Sequence, residues 1–265
     1  MKSPFFIVGC VRSGTTLLRN LLRQHPHLLC PEETHFYRWA DPFGMPGFMN
    51  PIGKWPILQK HRQIDTVDED WFQQQLSAAR SRRDLFQRYG EGFKQAKGAS
   101  EARIFDKTPQ NVYGLPLLLH DFPDAKFIHI VRNPLNVIAS LLLGKVVAAP
   151  NVVAAANYWV EAVAIVNTCK AMLGDRLLEI RYEDLVASPG DVVAGLCRFV
   201  GEDPEQLRLT QHVHEEKNQF RSTLSEDDMR TASELCGAWA SHYQYDLESE
   251  LAERGTIGAA AGAPT

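Results

Sequence analysis

Phe5-Phe6-Ile7-Val8-Gly9-Cys10-Val11-Arg12-Ser13-Gly14-Thr15-Thr16-Leu17-Leu18 is the stretch that decides the fold. An apolar run, Phe5 to Val8, enters a loop bounded by Gly9 and Gly14. An amphipathic segment from Thr16 to Gln24 follows, with leucines at 17, 18, 21 and 22. The order is strand, loop, helix. Glycine lets successive backbone N–H groups converge on one point, and the helix adds the positive end of its dipole. Such a loop seats a tetrahedral oxyanion. The pattern G-x-x-x-x-G-K-[ST] is met everywhere but once, because Thr15 stands where lysine belongs. Nucleotide triphosphatases use that lysine on the β- and γ-phosphates. Its loss argues against ATP or GTP hydrolysis and suits a diphosphate-like anion bound without magnesium.

Downstream come His25-Pro26 and Cys30-Pro31-Glu32-Glu33-Thr34. Together with Arg12-Ser13-Gly14-Thr15-Thr16, these phrases resemble the sulfotransferases that use 3′-phosphoadenosine 5′-phosphosulfate (PAPS). In motif order they are similar to the protein-tyrosine sulfotransferases. The resemblance implies that Arg12, Ser13, Gly14, Thr15 and Thr16 hold the 5′-phosphosulfate. It implies that Glu33 is the general base, with Glu32 pointing the other way along an extended segment.

Arg103-Ile104-Phe105 reads as a short strand ending at Asp106-Lys107-Thr108-Pro109. A lysine at such a strand end sits where open α/β sheets place their ligands. The resemblance puts Lys107 on the transferring sulfonate, beside Arg12. Lys126 to Val131 reads as a second buried strand, followed by Arg132-Asn133-Pro134 and a helix with Ser140 about two turns in. A guanidinium and a hydroxyl suit a terminal phosphate monoester, and the resemblance makes Arg132 and Ser140 the 3′-phosphate pair. Leu177 to Tyr182 is a further strand. The resemblance sets Tyr182 near the adenine. Glu183 and Asp184, just after it, are the magnesium ligands of a rival reading as a nucleotide kinase or NTPase. Thr210 to Ser225 is a late polar stretch; the resemblance implies a basic or hydroxyl-bearing loop over the 3′-phosphate, with Lys217, Arg221 and Ser222 as its candidates.

The remaining segments read as support. Residues 40–53 are rich in Gly and Pro and are expected to be irregular. The aromatics His35-Phe36-Tyr37-Arg38-Trp39 form either an acceptor wall or a pin to the core. Residues 56–98 read as a helical insertion whose Arg80, Arg82, Arg83 and Arg88 make a solvated face, with an anion site as the alternative. Asn151 to Leu173, Asp191 to Val200 and Asp227 to His242 read as core helices. His212 and His214 lack a strand pattern and a cysteine partner, so no metal site is expected.

With 265 residues and 45% hydrophobic content, the chain can bury one large core. A net charge of −4 leaves no basic field for nucleic acid. Five cysteines form no metal-ligand spacing and no even disulfide framework. They read as reduced thiols, and with no leader pattern the expected location is cytoplasmic. No apolar run is expected to cross a membrane, unlike the anchored animal tyrosine sulfotransferases.

The expected architecture is α/β: a P-loop-like three-layer fold over residues 1–254, with a central parallel sheet flanked by helices, and a disordered tail at 255–265. The expected chemistry is in-line transfer of the sulfuryl group of PAPS, leaving PAP. The acceptor is a hydroxyl on a peptide tyrosine, small molecule, lipid or carbohydrate. The alternatives are the kinase or NTPase and a non-catalytic PAP-binding module. A homodimer is left open.

Overall fold

The computed structural model describes residues 2–144 and 147–253; the tail at 255–265 lies outside them. Five strands form one parallel sheet: β1 (Phe5–Val8), β2 (Leu28–Leu29), β3 (Arg103–Lys107), β4 (Lys126–Val131) and β5 (Leu177–Arg181). Their order is β2-β3-β1-β4-β5. Phe5 on β1 is paired with Phe105 on one side and Lys126 on the other. The chain leaves β1 toward one edge for β2 and β3, then crosses to the other for β4 and β5. This reversal lies at the C-terminal end of β1, where open α/β sheets form their ligand crevice.

Helix α1 (Thr15–Leu22) follows the glycine loop. Next come α2 (Pro46–Lys54), α3 (Pro56–Ile64), α4 (Glu69–Ala78), α5 (Arg82–Ala96), α6 (Leu115–Asp121), α7 (Pro134–Leu142) and α8 (Val152–Leu173). The chain closes with α9 (Tyr182–Ala187), α10 (Pro189–Val200), α11 (Phe220–Thr223) and α12 (Glu226–His242). Alternation along the strands sorts two apolar faces. Phe5, Ile7, Phe105, Ile128 and Ile130 meet Leu18, Leu21, Leu22, Leu185, Val193 and Leu196 of α1, α9 and α10. Phe6, Val8, Phe127 and Val131 meet the layer that holds α7, α8 and α12. The expected three-layer sheet is therefore the observed one.

Three expectations are corrected. The stretch 40–53 is not wholly irregular, since α2 starts at Pro46 and makes the helical insertion longer than 56–98. Pro46 and Pro56 each occupy the first turn of a helix, where no N–H is needed. Phe48 and Ile52, four residues apart, are fully buried and hold α2 down despite Pro51. Arg82 is no solvated face. It is buried, and it donates to the carbonyls of Phe36 (2.6 Å), Trp39 (2.9 Å) and Asp41. Finally, α8 is by length and composition apolar enough to cross a membrane. Here its Ala155, Trp159, Ala162, Val163 and Val166 are buried in the core alongside α7 and α12.

Candidate active site

The loop after β1 is built by backbone angles that few side chains tolerate. Gly9 has φ +148°, and a Cβ there would lie 2.6 Å from the Ile130 carbonyl oxygen. Gly14 has φ +87°, and a Cβ would lie 2.1 Å from the Tyr182 ring. Arg12 also has positive φ, +70°. The turn closes with Ser13 N–H donating to Cys10 O at 3.3 Å. Thr15 is buried at the first position of α1, and Thr16 is exposed at the mouth. Ser13 is fully buried, and its hydroxyl has no hydrogen-bond partner among the described residues. A buried hydroxyl without a partner costs stability, and it sits where the loop amides turn toward an anion.

Lys107, at the end of β3, reaches the same mouth. Its side chain is 2% exposed, yet its ammonium contacts Glu33 Oε1 and donates to Thr16 Oγ1 at 3.2 Å. Burial alone would raise the Glu33 carboxyl. The neighbouring His35 imidazole and Lys107 ammonium outweigh it and hold the group down at about 2. Glu32 takes the other direction, pairing with Arg19 (2.7 Å) and Arg23 (3.4 Å) of the α1 segment. The backbone between them is pinned by the helical insertion. Asp65 accepts from Glu32 N–H at 3.0 Å and from Tyr89 O–H at 2.8 Å, and His61 Nδ1 donates to Glu33 O at 3.0 Å. On the other flank Asp106 is buried, with a carboxyl pushed up by burial to about 6. It accepts from Thr34 O–H (2.6 Å) and Asn111 (3.0 Å).

Arg132, just past β4, lies at the far side of the loop. It donates to Arg12 O at 3.0 Å, and its guanidinium sits 4.4 Å from the Tyr182 ring centroid. Arg12 Nε in turn donates to Ser140 Oγ at 2.8 Å. Arg12, Arg132, Ser140 and Tyr182 therefore gather at one end of the loop, and Lys107, Thr16 and Glu33 at the other. The stretch 207–219 crosses this edge. Thr210 N–H donates to Gln24 (2.5 Å), Asn136 bonds Asn218 (3.1 Å), and Glu216 grips Arg132 through two hydrogen bonds of 2.7 and 2.9 Å.

Two residues of the expected flap, Thr210 to Ser225, lie apart from the loop. Lys217 is exposed, and among the described residues its backbone N–H is engaged by Glu216 and its ammonium by none. Arg221 is turned toward the chain's end, pairing with Glu250 (2.6 Å) and Glu253 (3.0 Å). Among the described residues no hydrogen bond or ion pair joins it to Arg132 or the loop. Its charge is satisfied by that acidic pair. Glu183, the rival magnesium ligand, accepts from Asn133 N–H (3.0 Å) and Tyr245 O–H (2.6 Å).

A family model matches residues 4–206, with the description "sulfotransferase family". The chain belongs to the sulfotransferase family. The chain is 26% identical over 277 residues to the nodulation protein NoeE of Sinorhizobium fredii, covering 88% of this chain and 63% of that protein. It is 25% identical to protein-tyrosine sulfotransferase A of Caenorhabditis elegans, covering 75% of this chain and 50% of that one. The chain thus spans between half and two-thirds of the length of these curated relatives. Its fold is that of the sulfotransferase domain from the Synechococcus PCC 7002 olefin synthase, with TM-score 0.64, 24% identity and coverage of 93% and 97%. It is also that of a sulfotransferase from Alicyclobacillus acidocaldarius, with TM-score 0.54 and 18% identity.

Sequence reasoning singled out most of the residues that gather in this crevice, but it did not see four that shape it. His35 and His61 flank Glu33, Asp65 holds the backbone N–H of Glu32 before it, and Glu216 holds Arg132. His35 stands two residues from Glu33, a signal that was absorbed into the aromatic run. The aromatic run itself divides. Phe36 and Tyr37 are buried pins, while Trp39 and the half-exposed Trp55 sandwich Arg38 at 5.1 Å each. A cleft of 830 Å³ between α5 and the starts of β1 and β3 holds none of the predicted site residues.

Proposed function

We propose that the protein transfers the sulfuryl group of PAPS in line to an acceptor hydroxyl, with Glu33 as general base and without metal. The observation that carries this reading is the meeting of Lys107, Thr16 and Glu33 at the mouth of the glycine loop. It places a cation, a phosphate-type loop and a carboxylate within one reacting distance.

The residues present fit the donor. The unpartnered Ser13 hydroxyl and the amides of residues 12–16 would hold its 5′-phosphosulfate. The Arg12 guanidinium, expected beside Lys107 on the leaving side, is drawn instead to Ser140 at 2.8 Å; with the Ser140 hydroxyl and the Arg132 guanidinium it would hold the 3′-phosphate, once Glu216 gives way. Tyr182, packed on Gly14, would line the base. When bound, PAPS supplies a sulfuryl group on a phosphate that already leaves well.

The chain's part is then positional and electrostatic. Lys107 neutralises charge on the leaving side. Glu33 takes the proton of the acceptor hydroxyl at Oε1, the oxygen that Lys107 contacts, so the ammonium must turn toward the loop first. Losing that contact raises the carboxyl's proton affinity, which suits a base. Trp39, Trp55 and Arg38 form a wall beside Glu33 that suits an acceptor such as a peptide tyrosine, lipid, carbohydrate or small molecule. Five free, buried cysteines suit a reducing, cytoplasmic setting, which this reading includes.

The deciding experiment is isothermal titration with PAP and, separately, with ATP and magnesium. Metal-independent PAP binding, lost in Arg132→Ala, is the expected result. Preference for ATP with magnesium would overturn the reading in favour of a kinase. PAP binding with no transfer from any acceptor, unaffected by Glu33→Ala, would leave a binding module.

A further inference from the structure

Glu33 has two carboxylate oxygens and two cationic or donor neighbours. Oε1 faces Lys107, and Oε2 lies 3.4 Å from His35 Nε2. Lys107 is shared, because the same ammonium reaches Thr16 at the anion loop. A dianionic group in that loop draws the ammonium toward itself, and Oε1 is then free for an acceptor hydroxyl. Something else must keep the carboxylate in register.

His35 is built for that task. It is 4% exposed and holds φ +57°, a left-handed conformation that histidine adopts more readily than most side chains. Such strain persists only where the surroundings over-determine it, and here they do. Thr108 Oγ1 accepts from Thr34 N–H (2.9 Å) and His35 N–H (3.4 Å), and Asn111 accepts from Tyr37 N–H (3.2 Å). The ring is stacked on His61 at 6.2 Å and 16°, and it lies 6.0 Å from Trp39. Its Nδ1 is buried with no hydrogen-bond partner. Among the described residues the ring has one polar neighbour through Nε2, the Glu33 carboxylate.

We propose that His35 is the positioning residue of Glu33: its Nε2–H holds Oε2 when Lys107 turns to the donor, leaving Oε1 aimed at the acceptor. This rests on the reading of Glu33 as the acceptor's base. The tautomer follows from the neighbour, since a carboxylate at Nε2 places the proton there and leaves Nδ1 bare. The other charged or titratable groups around the pair are Lys107 and Asp106 from β3, His61 from α3, and Arg38 beyond the imidazole.

The test needs no acceptor. The Glu33 side-chain carboxyl is titrated by carbon-13 NMR, assigned by its loss in Glu33→Gln. Wild type, H35Q and H35L are compared with and without saturating PAP, with PAP binding measured on the same samples. Glutamine keeps an N–H near the Nε2 position and leucine removes it, while both carry the same backbone strain. The expected result with PAP is a carboxyl pKa raised by a unit or more in H35L and within a few tenths of wild type in H35Q. Equal titration in H35L and wild type overturns the proposal, as does an H35Q shift as large as that of H35L. If PAP binds none of the proteins, the donor reading falls by itself, and the ligand-free titrations decide His35 by the same ranking. Should both variants fail to fold, nitrogen-15 shifts of the wild-type His35 ring decide. A protonated Nε2 and bare Nδ1, with Nε2 responding to PAP, are expected; a bare Nε2 overturns the proposal.

Discussion

The Glu216 carboxylate clasps the Arg132 guanidinium through two hydrogen bonds, 2.7 and 2.9 Å long, with both side chains largely buried. A bidentate carboxylate is the nearest protein equivalent of a phosphate on arginine. Any anion that uses Arg132 must first displace it. Glu216→Gln should therefore tighten PAP binding. A charge-assisted hydrogen bond is worth roughly 1.5–3 kcal/mol, and part of that returns to the ligand, so the expected gain is about tenfold. Titration calorimetry on the variant checks this. Weaker binding would mean that Glu216 serves the ligand rather than competing with it.

Glu33→Gln should separate binding from chemistry. The variant loses the base and the charge that holds Lys107, so PAP affinity should stay level or rise. Transfer of labelled sulfuryl from PAPS to an acceptor mixture should fall by about 10²–10⁴, the usual contribution of a general base. A variant that loses both together would show Glu33 to be a structural partner of Lys107.

Gly14→Ala probes the loop. The added Cβ meets the Tyr182 ring at 2.1 Å on a residue with φ +87°. The ring must move, and the backbone is strained besides. Roughly 1–3 kcal/mol of destabilisation is expected, with PAP binding lost because Tyr182 also packs on Arg132. Thermal melts with and without PAP read both effects.

Acid stability should follow a second buried network. Glu179 is set against His129 (3.0 Å), Lys170 and Tyr243 (2.6 Å). Burial alone would raise its carboxyl, but these partners hold it down at about 2, below the ordinary 4.5. A depressed folded value means stability that is present above about pH 4.5 and is lost as pH falls toward 2. Glu179→Gln should be less stable than wild type above pH 5, by about 2 kcal/mol. The two urea-unfolding curves should converge near pH 2. A constant gap across that range would refute the linkage.

Arg82→Leu should loosen the aromatic wall. Its guanidinium holds three carbonyls, those of Phe36, Trp39 and Asp41. Removing the donors leaves the buried Phe36 carbonyl unpaired, a cost of about 1–3 kcal/mol, while the carbonyls of Trp39 and Asp41 can turn to water. Faster amide exchange at 36–41, with strands β1 and β4 unchanged, is the expected signature.

The strands were legible because a parallel sheet buries both faces and writes near-continuous apolar runs. Lys126–Val131 was readable residue for residue, and Phe5–Val8 equally so. The loop was legible because Gly9 and Gly14 bracket it at a spacing only a tight anion turn needs. Helix α2 was not legible, because Pro46, Gly47, Pro51 and Gly53 oppose helix locally, and only the buried Phe48 and Ile52 outweigh them. Arg82 looked like surface because charge pattern does not reveal which arginine finds three carbonyls.

Four of the five strands, the glycine loop and most of the residues around it were written in the chain; the short β2 (Leu28–Leu29) and the strand order were not. The former depend on local backbone angles and on short-range apolar spacing. Only the tertiary structure decided the partners. Glu33 and Lys107 are 74 positions apart, and Arg132 and Glu216 are 84 apart. Which carboxylate meets which cation depends on how strands and crossing loops converge at one sheet edge. Charge attraction has no sequence period, so no spacing rule announces it.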